Sequence, residues 1–213
     1  MAKNQRIRTI VAIFINALIV GLAGYCLVSL TRSAINGNNR FIYFTNISNV
    51  TVGFLAIANL VLLILSVVKD KNVVPPFFSW IKFVGISMTT LTFFTVLFVI
   101  GPIDGYAKNF SGRNFLTHLI IPLSALFSCL FLEEKLPQKW RYSLFVLIPF
   151  GIYAVFYVLN VVMLASWPDI YRINQQGLWY LFLLAFIIAD FGIGQGMYFL
   201  KAFLDKKLLK EKA

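Results

Sequence analysis

Six apolar runs, each close to the length a lipid bilayer imposes, occupy most of this 213-residue chain and leave only short polar stretches between them. A helix needs roughly 20 apolar residues to cross the hydrocarbon core. Runs near 9–30, 41–68, 81–102, 114–132, 142–165 and 177–203 meet that requirement. Composition agrees, since 60% apolar and 13% charged residues leave too little polar surface to coat a water-soluble globule of this size. The expectation is therefore an all-α integral membrane protein, one bundle of six transmembrane helices forming a single domain over residues 1–213. The basic start and first apolar run resemble a secretory signal, but the run is too long and lacks a small-residue cleavage site, so it reads as the first span. Cys26 and Cys129 both fall inside spans, where they cannot build a disulfide framework and read as packing residues.

Charge orients the bundle. Of the 19 lysines and arginines, only Arg32, Arg40, Lys108, Arg113 and Arg172 fall on the side opposite the N-terminus. The other fourteen, among them Lys3, Arg8, Lys69, Lys71, Lys82, Lys135, Lys139, Lys201 and Lys212, fall on the N-terminal side. Short cytoplasmic loops retain positive charge during insertion, so both termini are expected in the cytoplasm. The excess of positive charge is thus accounted for by topology, and no nucleic-acid partner is implied. The Lys201–Lys212 run can touch anionic headgroups or simply be a solvated helix end.

The polar residues within the spans are few and concentrated. The second span carries Thr45, Asn46, Ser48 and Asn49 in an otherwise apolar segment, with Thr45, Ser48 and Asn49 at helical spacings and Gly53 and Ala56 continuing the stripe. That face is expected to look into the bundle, either as a close-packing surface of small residues or as part of a site. His118, the one histidine, begins the fourth span. An imidazole exchanges protons near neutral pH, which the amides and hydroxyls around it do poorly. Its bland reading is a histidine hydrogen-bonded to a neighbour. Pro122, one turn deeper, is expected to kink that span. By helical rise, Thr45, His118 and Asn160 of the fifth span lie at similar depth. Asp190 of the sixth span lies about 20 Å below Gly177 by the same rise, where it either stays protonated or bonds a partner such as Asn16 or Asn59, and Gly192 and Gly196 beside it are spaced for close helix approach.

With these residues in view, Phe44-Thr45 followed by an amphipathic run, His118 with a proline soon after, and the loop Ser166-Trp167-Pro168-Asp169-Ile170-Tyr171, the chain resembles the androgen-induced gene family. That family includes the androgen-dependent TFPI-regulating protein and six-span bacterial relatives, and is described as multi-pass threonine hydrolases of fatty acid esters of hydroxy fatty acids. The resemblance implies Thr45 as nucleophile and His118 as base. It also implies a lipid-ester substrate reached from the bilayer and, from the compact chain, a place in a bacterial cell membrane. A threonine hydroxyl needs both a base and donors facing the developing oxyanion. Asn46, Asn49 and Asn160 are the candidate donors; because no carboxylate lies at that depth in the spans, His118 acts either in a dyad or with an amide or a tyrosine such as Tyr153 or Tyr157 to orient it.

The competing reading is a small transporter or channel, using Asp190, the intramembrane asparagines and Thr89, Thr92 and Thr95. Asn46-Ile47-Ser48 and Asn49-Val50-Thr51 match glycosylation sequons but lie inside a span, and Asn109-Phe110-Ser111 lies in a loop. One histidine and two separated cysteines cannot assemble a zinc site, and no phosphate-cradling glycine loop is present, so neither metal nor cofactor is expected. The partners expected are the lipid substrate and the bilayer, with oligomeric state open.

Overall fold

The computed structural model describes residues 1, 3–133, 140–174 and 177–210. Lys135, Lys139 and Lys212, counted above on the N-terminal side, lie outside them. Six helices are long and apolar enough to cross a membrane: α1 (Lys3–Ile35), α2 (Phe44–Val68), α3 (Pro76–Asp104), α4 (Gly112–Leu132), α5 (Trp140–Met163) and α6 (Trp179–Lys207). Among the described residues there is no strand. Most boundaries fall within a few residues of expectation. α1 extends at both ends, and 41–43 do not belong to α2. Instead Arg40–Ile42 form a 3-10 turn, capped by the Asn39 side chain on the Phe41 N–H, and Tyr43 is the N-cap of α2. Thr45 therefore sits in the first turn of its helix.

Contacts between distant residues show which ends of the helices meet. The N-terminal amine bonds the Asp70 carbonyl at 2.8 Å, Arg8 donates to the Phe131 carbonyl at 2.6 Å, and Lys201 donates to the Glu133 carbonyl at 2.9 Å. The start of α1, the α2–α3 connection, the end of α4 and the far part of α6 thus share one end, the terminal end. At the opposite end, Arg172 of the α5–α6 connection pairs with Asp104 of α3 at 2.9 Å.

α3 is the central helix: 61% of its apolar window is buried, against 17% for α6. Two interior clusters meet on it. One joins α1 to α4 through Ile19, Ala23, Val52, Phe83, Ile86 and Ile121. The other joins α2, α3 and α5 to the α5–α6 connection through Phe44, Leu91, Phe150, Tyr157 and Ile173. The outside is apolar in turn, with Phe14, Phe54 and Phe98 each more than 60% exposed. A water-soluble monomer rarely leaves so much apolar surface contiguous, whereas a lipid-facing shell requires it.

Two prolines widen the helices that carry them. Proline has no N–H and its ring collides with the carbonyl four residues back. The turns just ahead of Pro102 and Pro122, Val96–Ile100 in α3 and Leu116–Ile120 in α4, open into π-helical turns. The kink expected at Pro122 takes this form, and His118 lies within it.

Close approach between helices occurs where glycine lacks a side chain. A Cβ at Gly53 would stand 2.6 Å from the Ala23 Cβ, so the α2 stripe packs on α1. On α6 the expectation is corrected. Nothing lies within 4 Å of a Cβ built at Gly192 or Gly196, whereas one at Gly194 would stand 2.6 Å from Val146 Cγ2. The spacing of small residues is real, but the helix turns the other glycine toward α5.

Candidate functional site

Near the end opposite the termini, α2, α3, α5, α6 and the α5–α6 connection enclose a cleft of about 570 Å³, its open mouth included. Mostly apolar walls with a few convergent polar groups are the usual form of a small-molecule site. The walls include Phe44, Leu91, Val96, Ile100, Phe150 and Phe186, and the polar groups are Thr45, Thr92, Thr95, Tyr153, Tyr157 and Tyr171.

The hydroxyls are held by their surroundings. Thr92 Oγ1 donates to the Met88 carbonyl at 3.2 Å and lies 3.2 Å from Ser48 Oγ, tying α3 to α2. Tyr153 donates to the Ile42 carbonyl at 2.9 Å. Tyr157 donates to Asp169 Oδ1 at 3.0 Å, and the same carboxylate accepts the Ile173 and Asn174 N–H groups at 3.0 and 2.9 Å. Asp169 thereby folds its connection back over the end of α5, bringing a carboxylate to a depth where the spans alone supply none. Tyr171 follows. Its phenol oxygen accepts the Phe44 N–H at 3.1 Å, from the first turn of α2. The side chain and backbone of Thr45 and the Tyr153 hydroxyl are further polar neighbours of that oxygen. Enclosure of this hydroxyl pushes the Tyr171 phenol above its ordinary range, because burial disfavours the charged form.

The structure brings Thr45, Tyr153 and Tyr157 into one cleft and distributes the other expected residues elsewhere. His118 is not among the residues lining it. Its Nδ1 lies 2.9 Å from the Asn109 carbonyl oxygen. Because a carbonyl only accepts, a neutral ring there carries its proton on Nδ1 and presents Nε2 with a free lone pair. The group that orients the imidazole is thus a backbone carbonyl of the α3–α4 connection rather than Tyr153 or Tyr157. Among the described residues no hydrogen bond joins Thr45 to His118. The two are nonetheless at one level, because the Asn49 amide donates to the Thr45 carbonyl at 2.7 Å and to the Thr117 carbonyl at 3.0 Å.

The asparagines are committed to the backbone. Asn46 donates to the Arg40 carbonyl at 2.7 Å. Asn160 donates to the Phe156 carbonyl at 2.8 Å and accepts from Ser166 Oγ at 2.8 Å, closing the end of α5. None of the three lines the cleft, so the convergence expected of Asn160 does not occur. Ser48 is fully buried between α2 and α3. Asn49 Oδ1 is buried without a hydrogen-bond partner.

A second polar assembly sits at the terminal end. Lys82 is buried and bonds both Asn16 Oδ1, at 2.9 Å, and Glu133 Oε1. Asn59 donates to the same Asn16 oxygen at 3.3 Å, and Ser128 to Glu133 Oε1 at 2.8 Å. Lys201, also buried, reaches Asp205 at 2.9 Å. Asn16 is therefore the partner of both Asn59 and Lys82, and neither asparagine bonds Asp190. Asp190 is 1% exposed and its Oδ2 has no hydrogen-bond partner. Among the described residues no group of three metal-ligating side chains is present.

Sequence reasoning missed Tyr171 as a site residue and Lys82 and Glu133 as interior ones. The loop that holds Tyr171 carries a signal, an Asp two residues ahead of an aromatic, but only the fold shows where the phenol goes. Comparison with protein-family models, curated proteins and solved structures found no match to this chain.

Proposed function

We propose that this protein is a membrane-embedded hydrolase of lipid esters, with Thr45 as nucleophile and His118 as base, and that its terminal end faces the cytoplasm of a bacterial cell. One observation carries the reading: a threonine hydroxyl stands at the polar end of an otherwise apolar cleft walled by membrane-spanning helices. Acyl chains of fatty acid esters of hydroxy fatty acids, or of similar lipids, match such walls. Their ester carbonyl is the group that needs polar neighbours. The orientation rests on the excess of lysine and arginine at the terminal end.

In this mechanism His118 Nε2 takes the Thr45 proton as Oγ1 bonds to the ester carbonyl carbon. Because the two side chains are not hydrogen-bonded and His118 does not line the cleft, the transfer in this mechanism requires water between them, a relay that general-base catalysis tolerates. The tetrahedral intermediate collapses with cleavage of the ester C–O bond, and the departing alkoxide takes the proton from the imidazolium. Water then attacks the acyl-threonine, passing its proton to His118, and the released Thr45 oxygen takes it back.

The test is incubation of the purified protein with a lipid carrying an activated ester, followed by mass spectrometry to find the acylated side chain. Thr45 is expected to carry the acyl group, Thr45→Ala to lose both label and turnover, and His118→Ala to lower turnover by about 10²–10⁴-fold. Label on another residue, or full turnover in Thr45→Ala, overturns the mechanism. The second outcome would favour a small transporter, the reading that the unpartnered Asp190 carboxylate supports, because ionisable groups at membrane depth tend to mark transport paths.

A further inference from the structure

The geometry points to Tyr171 as a further catalytic residue, the donor that stabilises the oxyanion when Thr45 attacks the ester carbonyl. This rests on the hydrolase reading above and adds to it the group whose absence would leave a threonine nucleophile ineffective.

The argument begins by elimination. The amides that sequence spacing offers for this role do not line the cleft, and each is tied to backbone carbonyls elsewhere: Asn46 to Arg40, Asn49 to Thr45 and Thr117, Asn160 to Phe156. Two of the three cleft phenols are committed too, Tyr153 to the Ile42 carbonyl and Tyr157 to the Asp169 carboxylate. Tyr171 differs. Its oxygen accepts the Phe44 N–H, while its own proton has neither a carbonyl nor a carboxylate acceptor among the described residues. Around that oxygen stand Thr45 and the Tyr153 hydroxyl, with which it shares the cleft wall, so the Tyr171 hydroxyl lies beside the proposed nucleophile.

Three features suit it to the task. A donor into the phenol oxygen polarises its O–H and makes it a stronger donor in turn. The Phe44 N–H comes from the first turn of a 25-residue helix, whose positive end favours negative charge building up nearby. Burial keeps the phenol protonated, so Tyr171 serves as a hydrogen-bond donor and leaves proton abstraction to the base. The residue is also held before substrate arrives: its N–H bonds Tyr157 Oη at 3.3 Å, and the next residue, Arg172, pairs with Asp104 at 2.9 Å. A donor fixed in advance needs no reorganisation during reaction.

The experiment measures hydrolysis of a para-nitrophenyl ester of a long-chain fatty acid by full-length protein in detergent. Tyr171→Phe is expected to lower kcat by about 10²–10³-fold, the usual loss of one oxyanion donor, with KM little changed and the thermal midpoint lowered only by the loss of the hydrogen bond from the Phe44 N–H. Fluorotyrosine at position 171, a more acidic phenol of nearly the same shape, is expected to restore activity and move the alkaline limb of kcat toward neutral pH. A merely structural tyrosine would not shift that limb. Unchanged kcat in Tyr171→Phe, or a rise in KM alone, with Thr45→Ala inactive, overturns the role of Tyr171 and leaves the hydrolase reading standing. Full activity in Thr45→Ala overturns both. If Tyr171→Phe fails to fold, the fluorotyrosine profile decides, and an unmoved limb is the negative result.

Discussion

Glu133 shows what a single residue contributes when it ends a span. It closes α4, and its side chain and carbonyl together hold Lys82 of α3, Ser128 of its own helix and Lys201 of α6. Lys82 in turn holds Asn16, which accepts from Asn59. Exchanging one partner of a buried ion pair for a neutral side chain leaves the other charge without compensation, at about 3–5 kcal/mol. Glu133→Ala and Lys82→Ala are therefore each expected to destabilise strongly. The double variant is expected to cost clearly less than the two combined, because it removes both charges. Denaturant unfolding in mixed micelles measures all three, and simple additivity would show that the pair is not coupled. Neither residue's position was legible in the sequence. Lys82 and Lys201 stand at the very ends of the expected spans 81–102 and 177–203, where a lysine reads as an end charge, and the partner that makes Lys82 tolerable is 51 positions away.

At the scale of the element, the two faces of α6 behave differently although their composition is alike. Gly192, Gly194 and Gly196 sit two residues apart, but only Gly194 meets another helix. A leucine at Gly194 must displace Val146, so Gly194→Leu is expected to cost about 1–3 kcal/mol or more through overpacking. Gly192→Ala should stay within about 0.5 kcal/mol, as exposed substitutions do. Thermal midpoints of the two variants in the same detergent check this, and equal loss at both sites would mean that the face is misassigned. The contrast explains why α2 was readable and α6 was not. On α2, Ser48, Asn49, Gly53 and Ala56 all fall on one stripe, which an otherwise apolar helix can hide only inside. On α6 the small residues spread over both faces, and the polar landmark Asp190 lies on the buried one without a partner to announce it.

For the whole molecule, the apolar runs made the six-helix count legible because the length of a span is set by the bilayer and not by tertiary contacts. The cleft was only half legible. Its helical walls carry Thr45, Tyr153 and Tyr157, but depth counting groups Thr45 with His118 and Asn160, which do not line it, and Tyr171, Ile173 and Asp169 enter from a connection whose path depends on the hydrogen bonds that Asp169 gathers. The proposed orientation has its own check. Single cysteines replacing Asn38 and Lys71, in loops at opposite ends of the bundle, are expected to react with a membrane-impermeant maleimide from opposite sides of intact cells, Asn38→Cys from outside. Cys26 and Cys129 are buried and free and should stay silent. Labelling of Lys71→Cys from outside would invert the orientation. The network around Glu133 also bears on biogenesis. Asn16, Asn59, Lys82 and Glu133 all emerge from the ribosome before α5, so the first four helices can neutralise their own ionic centre while synthesis continues. Lys201 arrives last, already paired within its own helix to Asp205, so the final helix brings its own counter-charge to a nascent bundle that has settled its electrostatics.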